Sequence, residues 1–460
     1  MKDLAGLSFD ILTLRESYTS GGVRPVDVIR EAYKRIAALA NNPVWIHLVP
    51  EEQALGAAQE LGPPANSPLF GIPFAVKDNL DVAGLTTTAG CPAFSHVAIE
   101  TAPVVQRLLA AGAILIGKTN LDQFATGLVG TRSPYGACTN VFDERYIAGG
   151  SSSGSAVAVS AGLVSFALGT DTAGSGRVPA AFANIIGLKP TRGALSTRGV
   201  VPACRSLDCV SIFSLTADDA EIVFAISMNY DNRDPYSRRF RDPAQIPAQF
   251  RIGIPGSQIL DLIENEYRAM FAQAAARFAS LGHSLIQVDV QPFLSTAELL
   301  YNGPWVAERF ASVGKFIKEH PDHVHPVVRD IILGGEKFSA SDVFEGQYRL
   351  EELRKQTDAV WDIVDVLLLP TTPDIYRLAQ VEQEPVSLNS RLGTFTNFTN
   401  LLDLAAIAVP AGFRANGLPF GITILGSAYS DLGLLALSRS YLSSLRPPLG
   451  ATKVSSPSSG

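Results

Sequence analysis

A chain of 460 residues, 47% hydrophobic and 18% charged, can bury a large core, and its length would accommodate two or three domains. Its 37 basic and 44 acidic residues are spread without long blocks and sum to a formal charge of -7, which leaves no footprint for nucleic acid and no polybasic patch for a membrane; a small-molecule partner is expected. Four cysteines without a C-x-x-C pair, an N-terminus broken by Asp3, Asp10, Arg15 and Glu16, and no apolar run near the ~20 residues of a membrane span predict buried thiols in a cytoplasmic protein.

The first element is a helix from Pro25 to Leu39. Proline suits a first helical turn, and Val28, Ile29, Ala32, Tyr33, Ile36 and Leu39 recur at the spacing of one buried face. LFGIPFAVKDN (69–79) then reads as a strand, ETAPVVQRLLAAGA (100–113) as a helix and AILIGKTN (113–120) as a strand. The alternation continues with VSFALGT (164–170), FRIGIPG (250–256), HSLIQVDV (283–290), VDVLLLPTTP (364–373), AAIAVPAG (405–412) and FGITILG (420–426). Runs that are apolar on successive residues belong in a sheet covered on both faces, so the fold class is α/β. No repeat or linker divides the chain, and residues 1–449 read as one catalytic domain with a variable helical region at about 230–350. The polar stretch YDNRDPYSRRFRDPAQIP (230–247) reads as a surface connection, and GATKVSSPSSG (450–460), with nothing to bury, as a disordered tail.

The stretch AGGSSSGSAVAVSAGLVSFALGTDTAGSGR (148–177) holds seven serines and seven glycines in thirty residues, yet its middle is apolar. Ser155 to Gly162 therefore predicts a packed helix and Leu163 to Thr170 a buried strand. A glycine-rich turn beside such elements presents backbone N–H groups that can hold a phosphate or an oxyanion. A phosphate loop is excluded because no Gly-Lys-Ser/Thr triplet follows either cluster. A nucleophile elbow at Ser152 matches G-x-S-x-G but lacks a preceding apolar strand and a histidine in a recognisable setting. A lysine base fits better: Lys77 ends an apolar run, and burial favours its neutral form, lowering its pKa by the roughly 2 to 3 units that work near neutral pH requires.

Taken in order, GIPFAVKDN, GKTNLDQFATG, AGGSSSGSAVAVSAG, GTDTAGSGRVPAA, GLKPTRG, the PTTP after a buried strand and VPAGFRANGLPFGITILG resemble the amidase signature hydrolases from about residue 20 to residue 445. The resemblance implies a central twisted mixed sheet covered by helices, a homodimer, no cofactor and a Ser–cis-Ser–Lys triad that becomes Lys77, Ser151 and Ser175. Ser175 attacks the amide carbonyl, Ser151 relays its proton to neutral Lys77, and backbone N–H groups of Thr172, Ala173 and Gly174 face the oxyanion. The family's common pattern has a glycine where Ala173 stands and a branched residue where Gly176 stands, so Gly176 is expected to supply the freedom that Ala173 lacks. Taken singly, the three residues have plain structural readings: a Lys77–Asp78 pair, a helix cap at Ser151 and a turn serine at Ser175. Asp171, Arg177 and Asp208 are expected to hold the serine loop, and Lys189 reads as structural.

Within the family, DTAGSGRVPAAF, RSLDC (205–209), LYNGPWVAERF (300–310) and SRLGTFTNFTNLLDL (390–404) look like the allophanate hydrolase branch. Allophanate carries an amide at one end and a carboxylate at the other, and arginine's planar fork suits a carboxylate. The resemblance gives that role to Arg309 with the Tyr301 hydroxyl, eight residues apart and thus able to share a helix face; the alternative is a surface arginine paired with Glu308. Backbone from Ala125 to Gly127 lines the pocket's other side. The implied reaction hydrolyses the terminal amide, releasing ammonia and N-carboxycarbamate. The alternatives are a general amidase or the hydrolytic component of a glutamine-dependent amidotransferase, from the same family, and a catalytically dead scaffold, from another class. Full-length members of the branch carry a further C-terminal domain, expected to be absent here. His320, His323 and His325, broken by prolines, read as a helix-end loop rather than a metal site.

Overall fold

The computed structural model describes residues 4–62, 67–240, 246–452 and 454. The first predicted helix forms as Pro25–Ala38: proline sits in its first turn, Arg24 and Asp27 close its start, and Val28, Ile29, Ala32, Tyr33 and Ile36 are buried. Eleven strands form one mixed sheet among the described residues, in the order Trp45–Leu48, Ile114–Thr119, Pro73–Lys77, Phe166–Asp171, Cys209–Ser214, Ile186–Lys189, Ala405–Phe413, Pro419–Gly426, Val366–Pro370, Arg251–Pro255 and Ser284–Val288.

The side-chain alternation of these strands shows that both faces are covered. Phe74, Val76, Phe166 and Leu168 join one apolar cluster with the helices Pro103–Ala110, Ala217–Ser227 and Asp431–Leu445. Ala75, Ala167 and Phe213 face the opposite cluster, built on the helix Ser153–Ser160. Every residue of that serine helix is buried. Its small residues are a packing requirement, because a Cβ on Gly154 would stand 2.5 Å from the Val44 carbonyl oxygen and 2.7 Å from the Asn120 nitrogen. The predicted α/β class therefore holds, as does the expected sheet covered on both sides.

Pro73–Lys77 runs parallel to both Ile114–Thr119 and Phe166–Asp171, so Lys77 and Asp171 emerge at the same end of neighbouring strands. Carboxyl ends of parallel strands are where open α/β sheets place ligands. The other flank is built later in the chain. Helices Gln291–Asn302, Trp305–Glu319, Pro326–Leu333 and Ala340–Asp358 follow the edge strand Ser284–Val288 and precede the return to Val366–Pro370.

Three expectations gain detail. The region at about 230–350 is not wholly helical, since the two strands read there form as Arg251–Pro255 and the edge strand Ser284–Val288, which pair in parallel. The polar connection at 230–247 is docked where it is described: Asp231 and Asp234 are buried and accept from the Ser196 hydroxyl and the Thr197 amide, while Arg238 pairs with Asp403; residues 241–245 lie outside the described residues. The start of the tail has partners as well. Gly450 accepts from Asn184 Nδ2, the Ala451 amide donates to the Ser160 carbonyl, and the Leu449 amide donates to the Val454 carbonyl; residues 453 and 455–460 lie outside the described residues. No helix among the described residues is long and apolar enough to cross a membrane.

Candidate active site

Lys77 is fully buried at the end of its strand and donates to Ser151 Oγ and Thr170 Oγ1, each at 2.8 Å. Asn79 Nδ2 donates to the same threonine oxygen at 3.2 Å. The lysine does not pair with Asp78, whose carboxylate meets Lys118 Nζ at 2.8 Å. Burial pulls the Lys77 pKa down to about 7, although Asp122, Asp208 and Asp171 favour its charge. A lysine so placed can lose its proton near neutral pH.

Ser151 follows a cis peptide bond from Gly150 and is fully buried, with its carbonyl accepting from the Asp122 amide at 3.1 Å. Gly150 admits no side chain, since a Cβ there would lie 2.2 Å from Asp122 Oδ2. Ser151 is not a helix cap; Ser152 takes the cap position without a side-chain bond. The Ser152 hydroxyl instead bridges the backbone of Thr170, donating to its carbonyl at 3.1 Å, which removes it as an elbow nucleophile.

Ser175 is 3% exposed and donates to the Gly127 carbonyl at 3.5 Å. Its loop hangs on Asp171, whose two oxygens accept from the Gly174 and Gly176 amides at 2.9 and 3.0 Å and from Arg177 Nη2 and Nε at 3.0 and 2.9 Å. Burial opposes the Asp171 charge, yet Arg177 and Lys189 hold its pKa below the usual carboxylate range. Arg177 continues to Thr399 Oγ1 and the Thr396 carbonyl. Asp208 holds the other side, accepting from the Thr172 hydroxyl and the Ala203 and Cys204 amides, and burial pushes its pKa up to about 6. Lys189 donates to the Pro190 carbonyl, away from the serines.

Two expectations for this loop are corrected. The Gly174 amide is committed to Asp171 and is not free for an oxyanion, whereas no hydrogen bond among the described residues takes the amides of Ala173 or Ser175. Nor does Gly176 compensate for Ala173. The left-handed conformation falls on Gly174, at φ 140°, and Gly176 is needed because a Cβ there would stand 2.6 Å from Ser211 Cβ.

Arg309 is 1% exposed, and Glu308 is not its partner: that carboxylate accepts from the Ser206 amide and hydroxyl, both at 2.7 Å. The guanidinium donates to Thr126 Oγ1 at 3.0 Å and to the Tyr301 hydroxyl at 3.4 Å. Tyr301 and Arg309 do not share a helix face, since the chain breaks at Gly303 and Pro304 between two helices; the pair meets across that break, the guanidinium lying 5.2 Å from the ring centroid. Gly127 sits beside Thr126, and a Cβ on it would come within 2.5 Å of Asp122 Oδ2. Histidines 323 and 325 border the same segment through backbone, the His323 carbonyl accepting from Gln123 Nε2 and the His325 amide donating to Gln123 Oε1, while the His320 amide closes its own helix on the Phe316 carbonyl.

Sequence reasoning named only the backbone at Thr126, not its side chain, and missed Thr170, Asp122 and Arg132. Arg132 is 1% exposed and donates to the Thr126 carbonyl at 2.9 Å and the Pro385 carbonyl at 2.6 Å, while Asp122 accepts from the Gly130 and Arg132 amides. For Asp122 and Arg132 the signal was available: they are the two charged residues of LDQFATGLVGTRSPYG, and a lone charge of each sign in a stretch otherwise uncharged marks buried charges.

Comparison with known proteins places this geometry. The urea amidolyase of Saccharomyces cerevisiae is 47% identical over 411 residues, 88% of this chain but 22% of that protein, so the chain spans about a fifth of the length of that relative. A solved Kluyveromyces lactis allophanate hydrolase superposes with a TM-score of 0.90 at 42% identity, covering 97% of this chain and 75% of that one. A glutamyl-tRNA(Gln) amidotransferase chain of Symbiobacterium thermophilum is 31% identical over 93% of this chain and 95% of its own length. The amidase pattern itself runs over residues 27–435, taking in the lysine strand, both serine turns and the arginine helix, and the chain belongs to the amidase family.

Proposed function

We propose that the chain hydrolyses the terminal amide of allophanate, releasing ammonia and N-carboxycarbamate. The observation that carries this reading is Arg309, a buried guanidinium bonded to two hydroxyls and, among the described residues, to no carboxylate; one of those hydroxyls belongs to Thr126, the neighbour of Gly127, whose carbonyl meets Ser175. A buried cation without a contacting counter-ion is costly unless a ligand supplies the negative charge. Similarity to an allophanate hydrolase over nearly the whole chain points the same way.

In this reaction neutral Lys77 takes the Ser151 proton as Ser151 takes that of Ser175, and Ser175 Oγ bonds to the amide carbon. The Ala173 and Ser175 amides, with Thr172 beside them, receive the oxyanion, each donor lowering the barrier by about 3 kcal/mol. The relay then runs backwards to protonate the leaving nitrogen. Ammonia departs, and water, deprotonated along the same path, frees the acid and restores Ser175.

Ammonia release from allophanate and from biuret, whose second amide replaces the carboxylate, tests the proposal. We expect kcat/KM at about pH 8 to favour allophanate by roughly 100-fold, close to 3 kcal/mol, and the preference to collapse in Arg309→Ala. Equal turnover of both substrates would leave a general amidase and overturn the assignment.

A further inference from the structure

Thr126 is connected to both halves of the site by bonds that leave it no freedom. Its hydroxyl donates to the Phe124 carbonyl at 3.1 Å and accepts from Arg309 Nη1 at 3.0 Å. Its amide donates to the Gln123 carbonyl at 3.0 Å, and its own carbonyl accepts from Arg132 Nη1 at 2.9 Å. The next carbonyl along the chain, that of Gly127, accepts from Ser175 Oγ. The side chain is fully buried.

The backbone leading to Thr126 is held in a form that side chains rarely adopt: Phe124 and Ala125 both have φ 51°. Such residues persist only where their surroundings impose the conformation. Here the Phe124 ring packs edge-on against Phe94, at 5.3 Å between centroids, and against Phe316, at 6.1 Å. Phe316 lies on the same helix, Trp305–Glu319, as Arg309. Loop and helix are therefore fixed to each other twice, once by the phenylalanines and once by the Thr126–Arg309 bond.

We propose that Thr126 is a positioning residue that sets the distance between the Arg309 guanidinium and the Ser175 hydroxyl, and so selects amides whose carboxylate lies a single atom from the scissile carbonyl. The inference rests on the allophanate reading above. Because the threonine proton is given to Phe124, the oxygen offers Arg309 only lone pairs, which fixes the direction of one edge of the guanidinium. Since Thr126 and Gly127 are consecutive, their Cα atoms stand about 3.8 Å apart, so the contact to Arg309 and the contact to Ser175 are made by neighbouring residues of one held loop. A longer anion would carry its reacting carbonyl past the nucleophile, and a neutral amide would leave Arg309 without a counter-ion.

Steady-state kinetics of wild type, Thr126→Val and Thr126→Ser on allophanate and biuret test this, with thermal melting to verify folding. Valine keeps the shape and removes the acceptor; serine restores it. The expected result is a rise in KM for allophanate of roughly 10- to 100-fold in Thr126→Val, matching the loss of a hydrogen bond to a charged group, with a smaller change in kcat, a smaller loss for biuret than for allophanate, and recovery in Thr126→Ser. Thr126→Val that keeps the full preference for allophanate, or that loses both activities in equal proportion, overturns the positioning role alone. A wild-type enzyme that does not favour allophanate over biuret overturns the allophanate reading and this inference with it.

Discussion

Lys77 and Arg309 are both withdrawn from water, at 0% and 1% exposure, yet burial drives one toward neutrality and leaves the other charged. Desolvation dominates at Lys77 and brings its pKa to about 7 despite three carboxylates nearby. At Arg309 burial also opposes the charge, but the nearby Asp208 and Glu308 carboxylates favour it, and the group stays above its ordinary value. The difference lies in chemistry as much as in surroundings. An ammonium can release its proton when its hydration is removed, whereas a guanidinium starts so basic that it stays a cation and demands an anion instead. On the proposed reading one buried cation becomes a base, and the other a carboxylate clamp.

The largest break in this comparison is Lys77→Met, which keeps the apolar stem and deletes the base. Ammonia release should fall roughly a thousandfold while the protein melts at a higher temperature. Because the folded-state pKa of Lys77 lies below its unfolded value of 10.5, the unfolded chain binds the extra proton, so the buried lysine costs stability fully below pH about 7 and not at all above about 10.5. Melting curves across that window should show the advantage of Lys77→Met shrinking as pH rises. An advantage independent of pH would mean that Lys77 is charged in the folded protein. The Arg309→Ala effect ranks next, confined to the carboxylate-bearing substrate.

A smaller effect isolates the serine loop from both cations. Gly176→Ala pushes a methyl group against Ser211 and Asp171 Cβ, the latter 3.2 Å away, and overpacking of this kind costs about 1 to 3 kcal/mol in denaturant unfolding. Adding Ser211→Gly should return most of it. A Gly176→Ala protein as stable as wild type would remove the packing explanation for that glycine.

The contrast between the two cations also marks how far the sequence could be read. Lys77, Ser151 and Ser175 sit in short motifs whose small residues are required locally, so they stood out as candidates before any fold was known. Strands were legible where they are apolar throughout, as in Val366–Pro370, and were missed where they are not. Cys209–Ser214 carries Ser211 and Ser214, both fully buried, and Ile186–Lys189 spans four residues that include a glycine and a buried lysine. The clamp was read only in part. Thr126 meets Arg309 across 183 positions, and Arg132 reaches Pro385 across 253, contacts that no periodicity announces. The break at Gly303 and Pro304 likewise turned an expected single helix into two, while leaving Tyr301 and Arg309 in contact.

The opposite fates of the two cations are tested most directly by the pH dependence of kcat/KM for allophanate between about pH 5.5 and 9. Neutral Lys77 is the active form, so activity should rise through an inflection near 7 and then level off, with Arg309 charged throughout. Activity that falls as pH passes 7, or that rises only toward the ordinary lysine range, would contradict a neutral buried base at Lys77.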